Sequence, residues 1–246
     1  MSTPGCAVIL GGTAGIGCAI GRGLIARGWS VYALARSPRE LASEAGGIEF
    51  LQCDLADEAS IERAFEEFAG RSAHLDALVC AAAQAPSGPI EQMSSEAVMQ
   101  AFHVNVGGPL VAVRLALPHL RKSSGSILFM GSTLADHPRP HTAVYAATKG
   151  ALDSVTKALA VDLGPEGVRV NCLRPSMVRT ELMVRNGMDP ARYETLLEHR
   201  ARVYPMRRIG EVNDLVAMAV LLLSRESSWT TGSVIDVDGG HSAAGS

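Results

Sequence analysis

Aromatic side chains are scarce, with Phe, Trp and Tyr together making up 4% of the 246 residues. A large core must therefore be built from Ala, Val, Leu and Ile. No apolar run reaches the roughly 18 residues that a membrane-crossing helix needs. No basic stripe occurs either: the net charge is −3 with both signs scattered, so neither nucleic acid nor an anionic membrane is an expected partner. The N-terminal residues show no basic start followed by an apolar stretch and a cleavage site, so secretion is not expected. The cysteines (Cys6, Cys18, Cys53, Cys80 and Cys172) are odd in number and form no C-x-x-C pair. Four of them sit in or beside apolar runs, where cysteine behaves as a small hydrophobe. A reducing, cytoplasmic setting is the expectation.

What is present is a regular alternation. Short, largely apolar runs at Cys6–Leu10, Val31–Ala35, Ile48–Gln52, Ala77–Cys80, Ser126–Met130, Val168–Leu173 and Val234–Val237 read as strands of a buried sheet. Between them lie helix-like segments at Gly15–Arg27, Glu58–Ala69, Ser94–Leu120, Ala143–Leu163 and Val212–Leu223. Alternating strands and helices call for an α/β fold, with a parallel sheet of about seven strands covered by helices on both faces. No linker or repeat divides the chain, so residues 1–246 are expected to form a single domain. One stretch breaks the rhythm. Thr180 to Arg208, with Asn186-Gly187 and Pro190 as breakers, reads as an irregular helical insertion. A substrate-covering segment is expected at about 176–208.

Two features carry chemistry. Gly11, Gly15 and Gly17 follow the first strand and open the first helix, where glycines let the backbone approach a pyrophosphate and the helix N-terminus stabilises its charge. This predicts a Rossmann-type, doubly wound dinucleotide-binding sheet. The end of the second strand chooses the cofactor. An acid there would bind a ribose 2′-hydroxyl, but Ala35-Arg36-Ser37 offers a guanidinium fork and a hydroxyl suited to a 2′-phosphate, which favours NADP(H) over NAD(H). Asp54 is placed to accept from the adenine amino group, or else to cap the helix that begins near Asp57. The second feature is Tyr145 and Lys149, four apart on one helix and hence neighbours on one face. A lysine cation beside the phenol is expected to lower its pKa and make it a proton donor and acceptor near neutrality.

Taken in order, the glycine turn, Ser132 thirteen residues before Tyr145, the Tyr145/Lys149 pair and Asn105 in Val104-Asn105-Val106-Gly107 resemble the short-chain dehydrogenase/reductase family. The likeness runs from Cys6 to Gly240 and includes Asp54-Leu55, Arg169-Val170-Asn171 and Asp238-Gly239-Gly240. It implies an oxidoreductase that interconverts a ketone or aldehyde and an alcohol by hydride transfer, acting as ketoreductase or alcohol dehydrogenase. Tyr145 would move the proton, Lys149 would hold the nicotinamide ribose, Ser132 would orient the substrate oxygen, and Asn105 would fix a water linking Lys149 to solvent. The resemblance also places Thr13, Ile16, Leu55, Ala81 and Thr180 beside the cofactor, and implies a homotetramer or homodimer. A nucleotide-sensing protein that keeps the fold without catalysis is the alternative, against which the four catalytic positions stand.

The chain departs from the family at Leu10, at Cys80-Ala81-Ala82-Ala83 and at Arg174-Pro175-Ser176, where Arg174 and Ser176 are expected to reshape the substrate end. Arg174 or Arg179 is a candidate contact for a substrate anion, and Met177, Met183 and Met188 either form an apolar lid over a mainly apolar ketone or fill core. His137 and His141 have the helical spacing of a zinc pair, but Pro138 and Pro140 forbid the helix, so no metal is expected.

Overall fold

The computed structural model describes residues 5–38, 47–185 and 187–244. Asn186, one of the breakers expected in the insertion, lies outside them. Seven strands form one sheet: β1 (Cys6–Leu10), β2 (Ser30–Ala35), β3 (Ile48–Gln52), β4 (Ala77–Cys80), β5 (Ser126–Met130), β6 (Arg169–Pro175) and β7 (Val234–Val237). Their order is β3-β2-β1-β4-β5-β6-β7 and every neighbouring pair is parallel. The helices are α1 (Gly15–Ile25), α2 (Glu58–Arg71), α3 (Ser95–Phe102), α4 (Gly108–Ser123), α5 (Ala143–Leu163), α6 (Leu182–Arg185), α7 (Pro190–Val203) and α8 (Val212–Leu223). The doubly wound fold expected from the alternation is the fold observed.

Side chains along a strand alternate between faces, and the core divides accordingly. Cys6, Val8 and Leu10 of β1 join Ile127 and Phe129 of β5 on the face covered by α2, α4 and α5. Ala7 and Ile9 join Leu128 and Met130 on the face covered by α1 and α8. Both faces being buried is why these strands read as largely apolar runs. Parallel order reverses direction between β1 and β4, so their C-terminal ends diverge into a crevice. The glycine turn leaves β1 at that crevice, and Ala81 follows β4, its N–H bonded to the Leu10 carbonyl at 3.0 Å.

Two segments differ from the sequence reading. The single long helix expected at Ser94–Leu120 is broken by a π-helical turn at His103–Gly107 that contains Asn105. Such turns widen the helix by one residue and cluster at functional sites. The insertion is more regular than expected: α7 is a full helix of 14 residues, with Asp189 accepting from Arg192 N–H at its N-terminus and Pro190 in its first turn.

Candidate active site

Gly11 has φ +77°, and a Cβ there would lie 2.7 Å from the backbone of Ala82, so only glycine lets the β1 and β4 ends close together. A Cβ on Gly17 would collide with the Gly11 carbonyl. The N-cap of α1 is Ala14, whose side chain makes no capping hydrogen bond, and the glycine turn leads straight into the helix N-terminus. That is the arrangement a phosphate would complete, and the residues present fit a dinucleotide. Thr13 is buried, and Ile16 packs into the core under the turn. Thr180 lies over Gly15, a Cβ on which would sit 3.6 Å from the threonine methyl, and its N–H donates to the Tyr193 hydroxyl at 3.1 Å.

At the other end of the crevice, Arg36 is exposed and Ser37 half-buried. Arg36 lines a cavity of about 510 Å³ with Gln52, Asp54, Ser60 and Arg63. Arg63, a second cation on α2 at this cavity, was not singled out by sequence reasoning, because only the tertiary packing of α2 under β2 brings it there. Asp54 is not the helix cap: Asp57 accepts from Ala59 N–H at 3.0 Å in that role. Asp54 instead accepts from Ala56 N–H, and its own N–H donates to Ser60 Oγ, each at 3.0 Å, which fixes its carboxylate at the cavity wall. Leu55 is buried against the core beside it.

Ser132 lies two residues past the end of β5 and opens a 3-10 turn at Thr133–Ala135, its Oγ accepting from Leu134 N–H at 3.2 Å. Tyr145, in the first turn of α5, lies near Ser132, whose side chain acts to lower its pKa. Lys149 is buried one turn further on, its Nζ donating to the Met130 carbonyl at 2.6 Å and lying 5.5 Å from the Tyr145 ring centre. Asn105, also buried, donates to the Gln84 carbonyl (2.8 Å) and to Thr148 Oγ1 (3.0 Å), and accepts from Gln84 N–H (2.7 Å). Thr148 in turn donates to the Tyr145 carbonyl at 2.7 Å. The four positions are thus brought to one place at the C-terminal edge of the sheet.

Two expectations are corrected here. The phenol is not made more acidic by Lys149. Burial pushes Tyr145 up to about 12, against the opposing effect of Ser132, and pushes Lys149 down to about 8. Loss of hydration is the largest cause for both groups. Both N–H donors of Asn105 are used in bracing the loop after β4 to α5. Arg174 is closed to a substrate anion, whereas Arg179 stays partly exposed on the wall of the larger cleft. Arg174 is 9% exposed and bound to Asp136, Asp153 and Asp236, while Arg179 pairs with Glu194 at 2.6 Å and Glu211 at 3.7 Å.

The methionines resolve in favour of packing. Met177, Met183 and Met188 lie against a small core of Tyr193, Leu197, Tyr204 and Ile209 beneath the insertion. The Tyr204 hydroxyl pins this core to the end of β6, sharing a hydrogen with Ser176 Oγ (2.7 Å) and accepting from Met177 N–H (3.0 Å). The larger cleft, about 950 Å³, opens between α1, α8 and the insertion; Gly15 and Thr180 are on its wall and Tyr145 is not. Among the described residues no helix is long and apolar enough to cross a membrane. Asn171 and Arg169 brace β6 to the segment before β7, with Asn171 donating to the Thr230 carbonyl and accepting from Ser233 N–H.

Known proteins carry the same architecture over nearly the whole chain. The family model described as enoyl-(acyl carrier protein) reductase matches residues 11–242. L-fucose dehydrogenase of Mus musculus is 35% identical over 95% of this chain and 86% of its own, and L-xylulose reductase of Bos taurus is 35% identical over 96% of each. Among solved structures, the aldohexose dehydrogenase of Thermoplasma acidophilum superposes with a TM-score of 0.89 at 28% identity, covering 98% of this chain and 94% of that one. A 3-ketoacyl-(acyl-carrier-protein) reductase of Brucella melitensis, complexed with NADH, gives 0.84 at 30% identity, covering 97% and 98%. With this coverage, the glycine turn at the switch point and the Ser132–Tyr145–Lys149 cluster, the chain belongs to the short-chain dehydrogenase/reductase family and is a nicotinamide-dependent oxidoreductase interconverting carbonyl and alcohol.

Proposed function

We propose that the chain is an NADP(H)-preferring reductase or dehydrogenase of a small polyhydroxylated carbonyl compound, with Tyr145 moving the proton. The observation that carries the reading is the grouping of Ser132, Tyr145 and the buried Lys149 ammonium, whose Nζ lies 5.5 Å from the Tyr145 ring centre and is held by the Met130 carbonyl. A bound dinucleotide supplies or takes the hydride. Ser132 holds the substrate oxygen beside the phenol. Tyr145 gives its proton to that oxygen in reduction and takes it back in oxidation. Because burial disfavours the phenolate, Tyr145 stays protonated in the unliganded site and is ready as an acid. Lys149 supplies positive charge that favours the phenolate once the proton has left, and retains N–H donors for a ribose. Asn105 holds α5 and the loop after β4 in register.

The sugar-like substrate class comes from the relatives' own names: L-fucose dehydrogenase, L-xylulose reductase and D-erythrulose reductase. The inward-facing methionines support it too, since they leave no apolar lid. The cofactor preference rests on Arg36, with Gly11, Thr13, Gly15, Ile16, Gly17, Asp54, Leu55, Ala81 and Thr180 along the remaining path. The insertion from about 176 to 208 covers the substrate within one domain. The protein works as a homodimer or homotetramer, through Met99, Leu110 and Val161, which stand exposed on α3, α4 and α5. All five cysteines are free and buried, which suits a reducing, cytoplasmic setting.

The test is a panel of ketoses, aldoses and small ketones read by absorbance of reduced nicotinamide, followed by two variants. Tyr145→Phe should bind NADPH normally and lose about 10²–10⁴-fold in turnover. Arg36→Leu should weaken NADPH by about one to two decades and leave NADH nearly unchanged. Wild-type turnover in Tyr145→Phe would refute the proton assignment, and equal wild-type affinity for the two cofactors would refute the preference.

A further inference from the structure

Arg174 ends β6 where three elements meet. Its fork takes Asp236 of β7, with Nε at 2.7 Å and Nη2 at 3.2 Å from the two carboxylate oxygens. Its Nη1 reaches Asp153 of α5 at 3.1 Å and Asp136 at 2.5 Å. Two of these partners sit on the pieces of chain that carry the chemistry. Asp136 lies four residues after Ser132, at the end of its 3-10 turn. Asp153 lies four residues after Lys149, one turn along the same face of α5. One guanidinium among three carboxylates leaves a net negative charge beside a buried ammonium.

We infer that Arg174 and Asp153 are a positioning pair for Lys149 and Ser132: Asp153 keeps the buried ammonium charged, and Arg174 keeps Asp153 ionised while pinning the Ser132 segment to α5. The inference rests on the reading of Tyr145 and Lys149 given above.

The surroundings of Lys149 single out Asp153. The groups that raise its pKa against burial are Cys172 of β6, Cys80 of β4 and Asp153 of α5. The thiols are themselves pushed far up by burial, Cys172 to about 12, so they carry no charge at working pH. Tyr145 on α5, pushed up to about 12, is neutral as well, and β5 contributes only the Met130 carbonyl. Among the described residues, Asp153, one helical turn from Lys149 on α5, is therefore the carboxylate that acts on the ammonium. Burial raises its pKa, and the Arg174 bond and charge oppose that rise, assisted by Cys172 Sγ at 3.6 Å. A lysine is charged below its pKa, so removing the carboxylate must move the loss of charge to lower pH.

The experiment is the pH profile of kcat and KM for Asp153→Asn, a near-isosteric change, with folding checked by circular dichroism and NADPH binding. The alkaline limb of kcat should move to lower pH by about one unit, with KM for the carbonyl little changed. Arg174→Met, which leaves Asp153 unpaired, should move the limb the same way, and Arg174→Lys should recover part of the shift. If Arg174→Met does not fold, Asp153→Asn and Arg174→Lys decide alone. A folded Asp153→Asn whose profile superimposes on the wild type overturns the inference. So does a loss of turnover equal at every pH, which marks a purely structural contact. An active Tyr145→Phe would instead remove the underlying reading, whereas an inactive one with an unmoved Asp153→Asn profile removes only this inference.

Discussion

The brace made by Asn105 permits a quantitative test. Asn105 is 1% exposed and makes three hydrogen bonds, at 2.7, 2.8 and 3.0 Å, that join the loop after β4 to the helix carrying Tyr145. Each such bond contributes about 1 kcal/mol net. Asn105→Ala should therefore cost about 3 kcal/mol, and for a chain of this size about 6–12 °C in Tm, since 1 kcal/mol corresponds to roughly 2–4 °C. Asn105→Asp keeps the shape but turns both donors into acceptors facing the Gln84 carbonyl and the Thr148 hydroxyl. A buried carboxylate facing acceptors has a raised pKa in the folded state. Its protonated form suits the fold, so the deficit should be small below about pH 4 and grow as pH rises through the folded value. Thermal melts of both variants and wild type, at one protein concentration and across pH, would measure this. An Asn105→Ala melt within about 2 °C of wild type, or an Asn105→Asp deficit independent of pH, would show that the brace carries no load.

Other outcomes follow from the same geometry. Phe68, wholly buried and edge-on to Tyr32 at 5.1 Å and His119 at 5.9 Å, should cost about 3–5 kcal/mol when changed to Ala, read by urea unfolding; a loss under about 1 kcal/mol would contradict the packing. All five thiols are buried, and those of Cys6 and Cys53 are pushed up to about 11 and about 12, so a thiol reagent near pH 8 should leave the native protein unlabelled and label every cysteine after unfolding. Rapid labelling of the native chain would refute it. Light scattering at micromolar concentration should give a dimer or tetramer mass, and a monomer mass would dismiss the exposed apolar residues of α3, α4 and α5 as an interface.

Much of the molecule was legible in the sequence because its physics is local. Buried parallel strands announce themselves as largely apolar runs, and five of the seven, β1, β3, β4, β5 and β7, begin and end where the runs do. Gly11 was legible because a left-handed turn against another backbone admits little else, and Tyr145 and Lys149 because four residues make about one helical turn. Asp153 could have been read by that same spacing from Lys149. Tertiary structure decided what depends on neighbours distant in sequence. It turned Arg174 from a candidate substrate contact into the hub of three carboxylates drawn from β7, α5 and the Ser132 segment, at separations of 62, 21 and 38 residues. It broke the expected long helix at Asn105, because a side chain bonded to Gln84 and Thr148 needs the wider turn. It also reversed the expected sign of the Tyr145 shift, since Lys149 adjacency is written in the sequence whereas the desolvation that is the largest cause of the shift is created by packing.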